Sequence, residues 1–249
     1  MRRPKGDISD WMERYRRRAS LDPLRAVLNE ADDDNRKNAY LDAVERVHLR
    51  RLLARVEQGT AVDLGCGAGR LLGLLARRAG RVIGVDASPD LLAAAAGRGL
   101  APSVRLVRGD LREVPLASGC ADFLLTCQSL IHVVEDDDLE LVAVEVRRLL
   151  RPGGRAVLME HLAPSESTER REGIVFRTPE ALLRPFVAAG LRAESSAPFR
   201  KSPSRLVHWV QRGRLPQLAW GIGARLEPWL AVRGREAPNY RDHLVVLRG

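Results

Sequence analysis

Val62-Asp63-Leu64-Gly65-Cys66-Gly67-Ala68-Gly69-Arg70 is the stretch on which the reading turns. It has the form of a strand end, a glycine turn and a helix start. Thr60 to Leu64 is apolar except for Asp63, as expected of a parallel strand covered on both faces. Glycines at alternate positions let the backbone turn sharply and approach a ligand with no Cβ in the way. Leu71, Leu72, Leu74 and Leu75 follow at helical spacing. A cofactor can therefore rest on exposed backbone at the carboxyl end of the first strand, where open α/β sheets bind their ligands.

The dinucleotide fingerprint G-x-G-x-x-G/A needs a small third residue so that helix and strand pack closely. Counted from Gly65, that residue is Arg70, which disfavours an NAD-dependent reductase. The order Asp63, Gly65, Gly67, Gly69 instead resembles motif I of the class I S-adenosylmethionine (SAM) dependent methyltransferases. The physical contrast is charge. A pyrophosphate suits a helix N-terminus, whereas SAM carries an ammonium, a carboxylate and a sulfonium. A carboxylate at the strand end and carbonyls in the turn suit the cation.

Further strands follow in step. Arg81 to Asp86 is a buried strand ending in an acid, with Ser88 and Pro89 opening a helix. Asp86 lies about 20 residues past the glycine loop, where doubly wound folds place a carboxylate on ribose hydroxyls. Val104 to Val107 is a third strand, followed by Gly109-Asp110-Leu111, and Ala121 to Thr126 is a fourth. Cys127, Gln128, Ser129 and His132 follow its end. A helix from Asp136 to Leu150 stops at Arg151-Pro152-Gly153-Gly154, and Arg155 to Met159 is the fifth strand. A helix starts at Thr178-Pro179-Glu180; Leu191 to Phe199 and Asp242 to Leu247 are the sixth and seventh strands.

Residues 60–162 thus resemble the class I methyltransferase series in order: V-D-L-G-C-G-A-G, V-I-G-V-D, R-G-D-L, A-D-F-L-L and L-L-R-P-G-G. The resemblance implies a doubly wound, Rossmann-like α/β sheet of seven strands, the last antiparallel. It implies SAM as cofactor, S-adenosylhomocysteine as product, and a cofactor site at Asp63, Gly65, Cys66, Gly67, Asp86, Ala87, Asp110, Leu111, Cys127 and Gln128. Asp110 is expected beside the adenine. Two regions lie outside the minimal pattern. Residues 1–58 read as an N-terminal helical lid, with a helix from Asn38 to Val56 and Tyr15 and Tyr40 as its aromatic candidates. Within the SAM-binding domain at 59–249, an insertion at about 201–238 carries Trp209, Trp220 and Trp229. Its helices, Arg205 to Gln211 and Leu218 to Leu230, suit a substrate lid, a homodimer interface or a peripheral membrane contact across 205–232.

Composition bounds the rest. The 249 residues suffice for one α/β domain with additions. Net charge is +9, and residues 200–249 hold ten Lys and Arg against three Asp and Glu, so the excess sits at the C-terminal end. Cys66, Cys120 and Cys127 are odd in number and lack C-x-x-C spacing, which fits a reducing cytoplasm. A zinc site from Cys120, Cys127, His132 and His161 fails the usual ligand spacing, and no metal is expected. Asp32, Asp33 and Asp34 read as a helix cap. The charged N-terminus lacks the apolar stretch of a signal peptide, and no apolar run spans a membrane.

Methyl transfer from SAM is an in-line displacement whose leaving group departs neutral, so proximity does most of the work. A base helps where a hydroxyl must lose its proton. His161, next to Glu160, is the first candidate base and His132 the second. Neighbouring strand residues point to opposite faces, so Glu160 need not touch His161. Cys127-Gln128-Ser129-Leu130 stands where the amino-methylating branches carry Asn-Pro-Pro-Tyr, and no DNA partner is expected. The expectation is O-methylation of a sugar or other natural-product intermediate. Alternatives are an RNA or peptide methyltransferase using the basic segment, and a non-catalytic SAM-binding interaction protein.

Overall fold

A computed structural model describes residues 13, 15–53, 56, 58–163, 168–171, 173–233 and 240–249. Trp11 and the first charged residues lie outside the described residues, as do positions 234–239 at the end of the insertion.

The sheet is built from β1 (Thr60–Leu64), β2 (Arg81–Asp86), β3 (Val104–Arg108), β4 (Ala121–Cys127) and β5 (Leu150–Leu162). A hairpin of β6 (Glu169–Arg171) and β7 (Ile174–Phe176) stands apart, and β8 (Arg192–Ser202) and β9 (Tyr240–Arg248) complete the main sheet. Its order is β3-β2-β1-β4-β5-β9-β8. β1 to β5 pair in parallel, while β9 runs antiparallel to both β5 and β8. The chain therefore reverses its strand order beside β1, and the crevice at that switch point opens at the carboxyl ends of β1 and β4.

The two-residue period of the strands sorts their side chains into two cores. One face carries Ala61, Phe123, Leu125, Val157 and Met159. It packs on α2 (Arg36–Leu53), on α3 (Leu72–Leu75) after the glycine turn, and on the insertion helices α7 (Arg205–Gln211) and α8 (Trp220–Val232). The other face carries Val62, Leu64, Leu124 and Leu158 under α5 (Asp136–Leu149) and α6 (Pro179–Ala188). Helix α1 (Pro23–Val27) lies before α2, and α4 (Pro89–Ala96) joins β2 to β3.

Helix starts are set by short polar side chains, as the sequence indicates. Ser88 Oγ accepts from Leu91 N at 3.3 Å, and Thr178 Oγ1 from Ala181 N at 3.1 Å, each ahead of a proline at the first helical position. Asp32 Oδ2 accepts from Asn38 N at 2.7 Å and Asp34 Oδ1 from Arg36 N at 3.2 Å, so this acidic run caps α2. No cluster of metal-ligating side chains occurs among the described residues.

The insertion is buried on one side and exposed on the other. Leu206, Val207, Val210 and Ala224 are buried, and Trp220 meets the Tyr40 ring edge-on at 5.7 Å. Tyr40 is fully buried and donates to Glu227 Oε1 at 3.1 Å, so it serves the core. Trp209 and Trp229 face outward.

Phe123 is central in β4 and fully buried. Phe123→Ala is expected to lower unfolding stability by about 3–5 kcal/mol, read by urea denaturation; a loss below about 1 kcal/mol would contradict this packing.

Candidate active site

A cavity of about 310 Å³ opens at the carboxyl ends of β1, β2 and β4. Its floor is the glycine turn. Gly65, Gly67 and Gly69 adopt φ of 76°, 54° and 72°, the left-handed region that favours glycine. A Cβ on Gly65 would lie 2.5 Å from Ser129 Cβ, and one on Gly67 2.8 Å from Val27 Cγ1. The turn is pinned from β2: Gly65 N and Cys66 N both donate to Val85 O, at 2.8 and 3.0 Å.

Asp86 lines the cavity at the end of β2. Its Oδ2 accepts from Gly67 N at 2.8 Å and its Oδ1 from Ser88 N at 2.9 Å. Each carboxylate oxygen keeps a second acceptor site, which suits the two donors of a ribose cis-diol. Burial pushes its pKa up, opposed by these backbone hydrogen bonds. Asp110 lines the cavity too, held by Arg112, whose Nε donates to Oδ1 at 2.9 Å and Nη2 to Oδ2 at 2.6 Å. That pairing holds Asp110 below the usual carboxylate range.

Of the residues expected at the cofactor, Gly65, Cys66, Gly67, Asp86, Ala87, Asp110, Leu111, Cys127 and Gln128 come together around this one cavity. Asp63 does not line it. It lies beneath the turn, 2% exposed, its pKa raised to about 7 by burial. The glycine turn sits over this acid.

His132 lines the cavity, and its Nε2 lies 2.9 Å from the hydroxyl of Tyr15. Tyr15 and Val27 close the cavity from the N-terminal side. His161 is placed elsewhere. It does not line the cavity; its Nδ1 lies 2.6 Å from Asp242 Oδ1, and its ring packs 4.4 Å from that of Tyr240. Arg200 Nε donates to the other Asp242 oxygen at 2.6 Å. Burial lowers the His161 pKa, but the Asp242 charge outweighs it and sets the group at about 9. At neutral pH His161 is therefore a cation, unlike the free base expected from sequence. Glu160 points to the opposite face, accepting from Leu130 N at 3.2 Å, and burial raises its pKa to about 7.

Two residues that tie the site together, Asp42 and Glu45, are ones the motifs did not single out. Arg70 is 6% exposed. It pairs with Glu45, reaches Asp42 Oδ1 at 3.1 Å, and donates to Cys127 Sγ at 3.2 Å. Gln128 Nε2 donates to the other Glu45 oxygen at 2.5 Å. One signal was available: Leu41, Val44, Glu45, His48 and Leu49 share a buried helical stripe, and an acid in such a stripe needs a buried partner. Burial pushes the Glu45 pKa up, with Arg70 opposing. The Cys127 thiol is raised as well, chiefly by burial, and stays neutral.

Residues 61–154 match the family described as "Methyltransferase domain". The chain is 28% identical to a ubiquinone biosynthesis O-methyltransferase of Xanthomonas oryzae pv. oryzae over 91% of this chain and 93% of that one. It is 38% identical to a 2-phytyl-1,4-naphtoquinone methyltransferase of Thermosynechococcus vestitus over 43% of this chain and 48% of that one. It spans less than half the length of the first two curated relatives it matches. Among solved structures, a geranyl diphosphate methyltransferase in complex with SAM superposes with a TM-score of 0.63 at 21% identity, over 83% of this chain and 84% of that one. Residues 61–154 are thus similar to a methyltransferase domain, and the strand order is similar to that of the class I SAM-dependent methyltransferases. Neighbours of similar fold include methyltransferases in complex with SAM or S-adenosylhomocysteine, and the glycine cradle, with no room for a Cβ at Gly65 or Gly67, fits such a group.

The His161 pairing has a pH signature. Its folded pKa lies above the ordinary 6.5, at about 9. The stabilisation is full below 6.5 and is lost as pH rises through about 9. Urea denaturation across this window is expected to show stability falling in the wild type. The His161→Gln variant should show a flatter profile; equal slopes would contradict the assignment.

Proposed function

We propose that the chain transfers the methyl group of SAM to a hydroxyl oxygen of a small-molecule acceptor, with His132 as general base. The observation that carries this reading is the position of His132 on the cofactor cavity, 2.9 Å from the Tyr15 hydroxyl. SAM supplies the electrophilic methyl when bound. Asp86 and Asp110 hold and orient the nucleoside end, and the glycine turn offers carbonyls to the ammonium. Tyr15 and Val27, from the N-terminal segment, line the cavity from that side. With its proton on Nδ1, His132 presents Nε2 as a base toward the place now held by the Tyr15 oxygen, where an acceptor hydroxyl can give up its proton.

The acceptor class follows from two supports. The relative that matches nearly end to end is named for O-methylation in ubiquinone biosynthesis, and the partial relative for methylation of a naphtoquinone. A phenolic or quinol-like natural-product intermediate fits both. A sugar acceptor finds no parallel in these relatives.

His132→Gln is expected to lower kcat by about 10²–10⁴-fold, with an alkyl-substituted catechol as acceptor and S-adenosylhomocysteine release as readout. The variant should bind S-adenosylhomocysteine as the wild type does. An unchanged kcat would overturn the base assignment.

A further inference from the structure

One side of α8 is apolar and faces nothing among the described residues. Ile222, Leu226 and Trp229 fall on one helical stripe, with Arg225, Val232 and Arg233 alongside. Ile222 is 62% exposed, Leu226 49%, Trp229 53% and Val232 64%. Leu218, just ahead of the helix, is 99% exposed, and Trp209 on α7 is 45% exposed. The opposite face of α8, with Gly223, Ala224, Glu227 and Ala231, is the one buried on the domain. Single exposed apolar residues are ordinary. A helix with one apolar face on the core and a second turned outward marks an interaction surface.

The charge around this face selects its partner. Residues 204–233 contain five arginines, at 205, 212, 214, 225 and 233, and a single acid, Glu227. That acid is fully buried and engaged by Ser204 Oγ at 2.7 Å and Tyr40 Oη at 3.1 Å. The exposed surface of residues 204–233 thus carries positive charge with no exposed acid. The Arg233 guanidinium lies 4.4 Å over the Trp229 ring, which brings cation and aromatic to the same edge. The partner must be anionic at its surface and apolar beneath. A second copy of this chain meeting the same patch would set arginine against arginine. A nucleic acid would meet the charge and the tryptophans but leave Leu218, Ile222, Leu226 and Val232 without an apolar partner. No helix of the described residues is long and apolar enough to cross a membrane, so the contact is with one leaflet.

We propose that the Ile222–Leu226–Trp229 face of α8, with Leu218 and the flanking arginines, binds the surface of an anionic lipid bilayer, the apolar side chains entering the headgroup boundary and the arginines meeting lipid phosphates. The surface is separate from the cofactor cavity, and its test needs no methyl acceptor, so it stands or falls apart from the catalytic reading.

The experiment is co-sedimentation of the full chain with vesicles of phosphatidylglycerol and phosphatidylcholine, against vesicles of phosphatidylcholine alone. The protein is expected to pellet with the anionic vesicles and to stay in solution with the neutral ones. Arg225→Gln with Arg233→Gln should weaken partitioning by about fivefold for each arginine removed. Leu218→Glu with Ile222→Glu should weaken it at least about tenfold. Both pairs replace exposed side chains, and unchanged S-adenosylhomocysteine binding shows that they fold. Equal pelleting with both lipids, no pelleting, or variants that pellet like the wild type would overturn the proposal. So would a stable dimer in velocity sedimentation that Leu218→Glu with Ile222→Glu dissociates, or polyuridylate binding that outcompetes the vesicles.

Discussion

The guanidinium of Arg70 joins three parts of the molecule that must keep their places for the cofactor cavity to exist. It leaves the glycine turn, meets Asp42 and Glu45 on α2, and reaches Cys127 at the end of β4. Taking these charges out of water is costly, and an ion pair repays that cost only when its geometry is good and its remaining donors are used. An arginine can do so because its planar fork offers five donors. Here the fork is shared between two carboxylates and a thiol, while Gln128 takes the other Glu45 oxygen. Removing Arg70 would strand a nearly inaccessible carboxylate, the situation in which breaking a buried pair is most destabilising. The residue that disfavours a dinucleotide at this loop is thus also the one that anchors α2.

A second buried cluster extends the same logic beneath the insertion. Asp242 on β9 holds both His161 and Arg200, and Glu227 on α8 holds Ser204 and Tyr40. Asp242 also raises the pKa of Glu45, so the two clusters feel each other. Helices α2 and α8 each send an acid, Glu45 and Glu227, into an otherwise apolar layer. This polar interior lies along the carboxyl ends of β5, β8 and the parallel strands, on the side of the sheet where Cys127 and Gln128 meet the cofactor cavity.

Much of this architecture was legible in the chain. The strands carry apolar runs ended by Asp63, Asp86 and Gly109-Asp110, and the helix starts carry Ser88-Pro89 and Thr178-Pro179, features whose meaning is local. The glycine turn was legible for the same reason. The β6–β7 hairpin was not, because three-residue strands show no periodicity. Nor was the partner of His161: Asp242 is 81 positions away, and only the antiparallel register of β5 on β9 sets the two side by side. That pairing turned the favoured base candidate into a cation, while His132, the second candidate, came to line the cavity. Helical spacing located α7 and α8, but an amphipathic pattern with two apolar faces does not say which one the domain covers.

A fold of this kind hosts many chemistries, so the site carries the functional claim. The claim beneath all others is that the Gly65–Gly69 turn and Asp86 make a SAM site, not a dinucleotide site. Calorimetric titration of the purified protein with S-adenosylhomocysteine, and separately with NAD, tests it most directly. The account predicts saturable binding of S-adenosylhomocysteine in the micromolar range and no binding of NAD. A flat S-adenosylhomocysteine titration, or tighter binding of NAD, would contradict it.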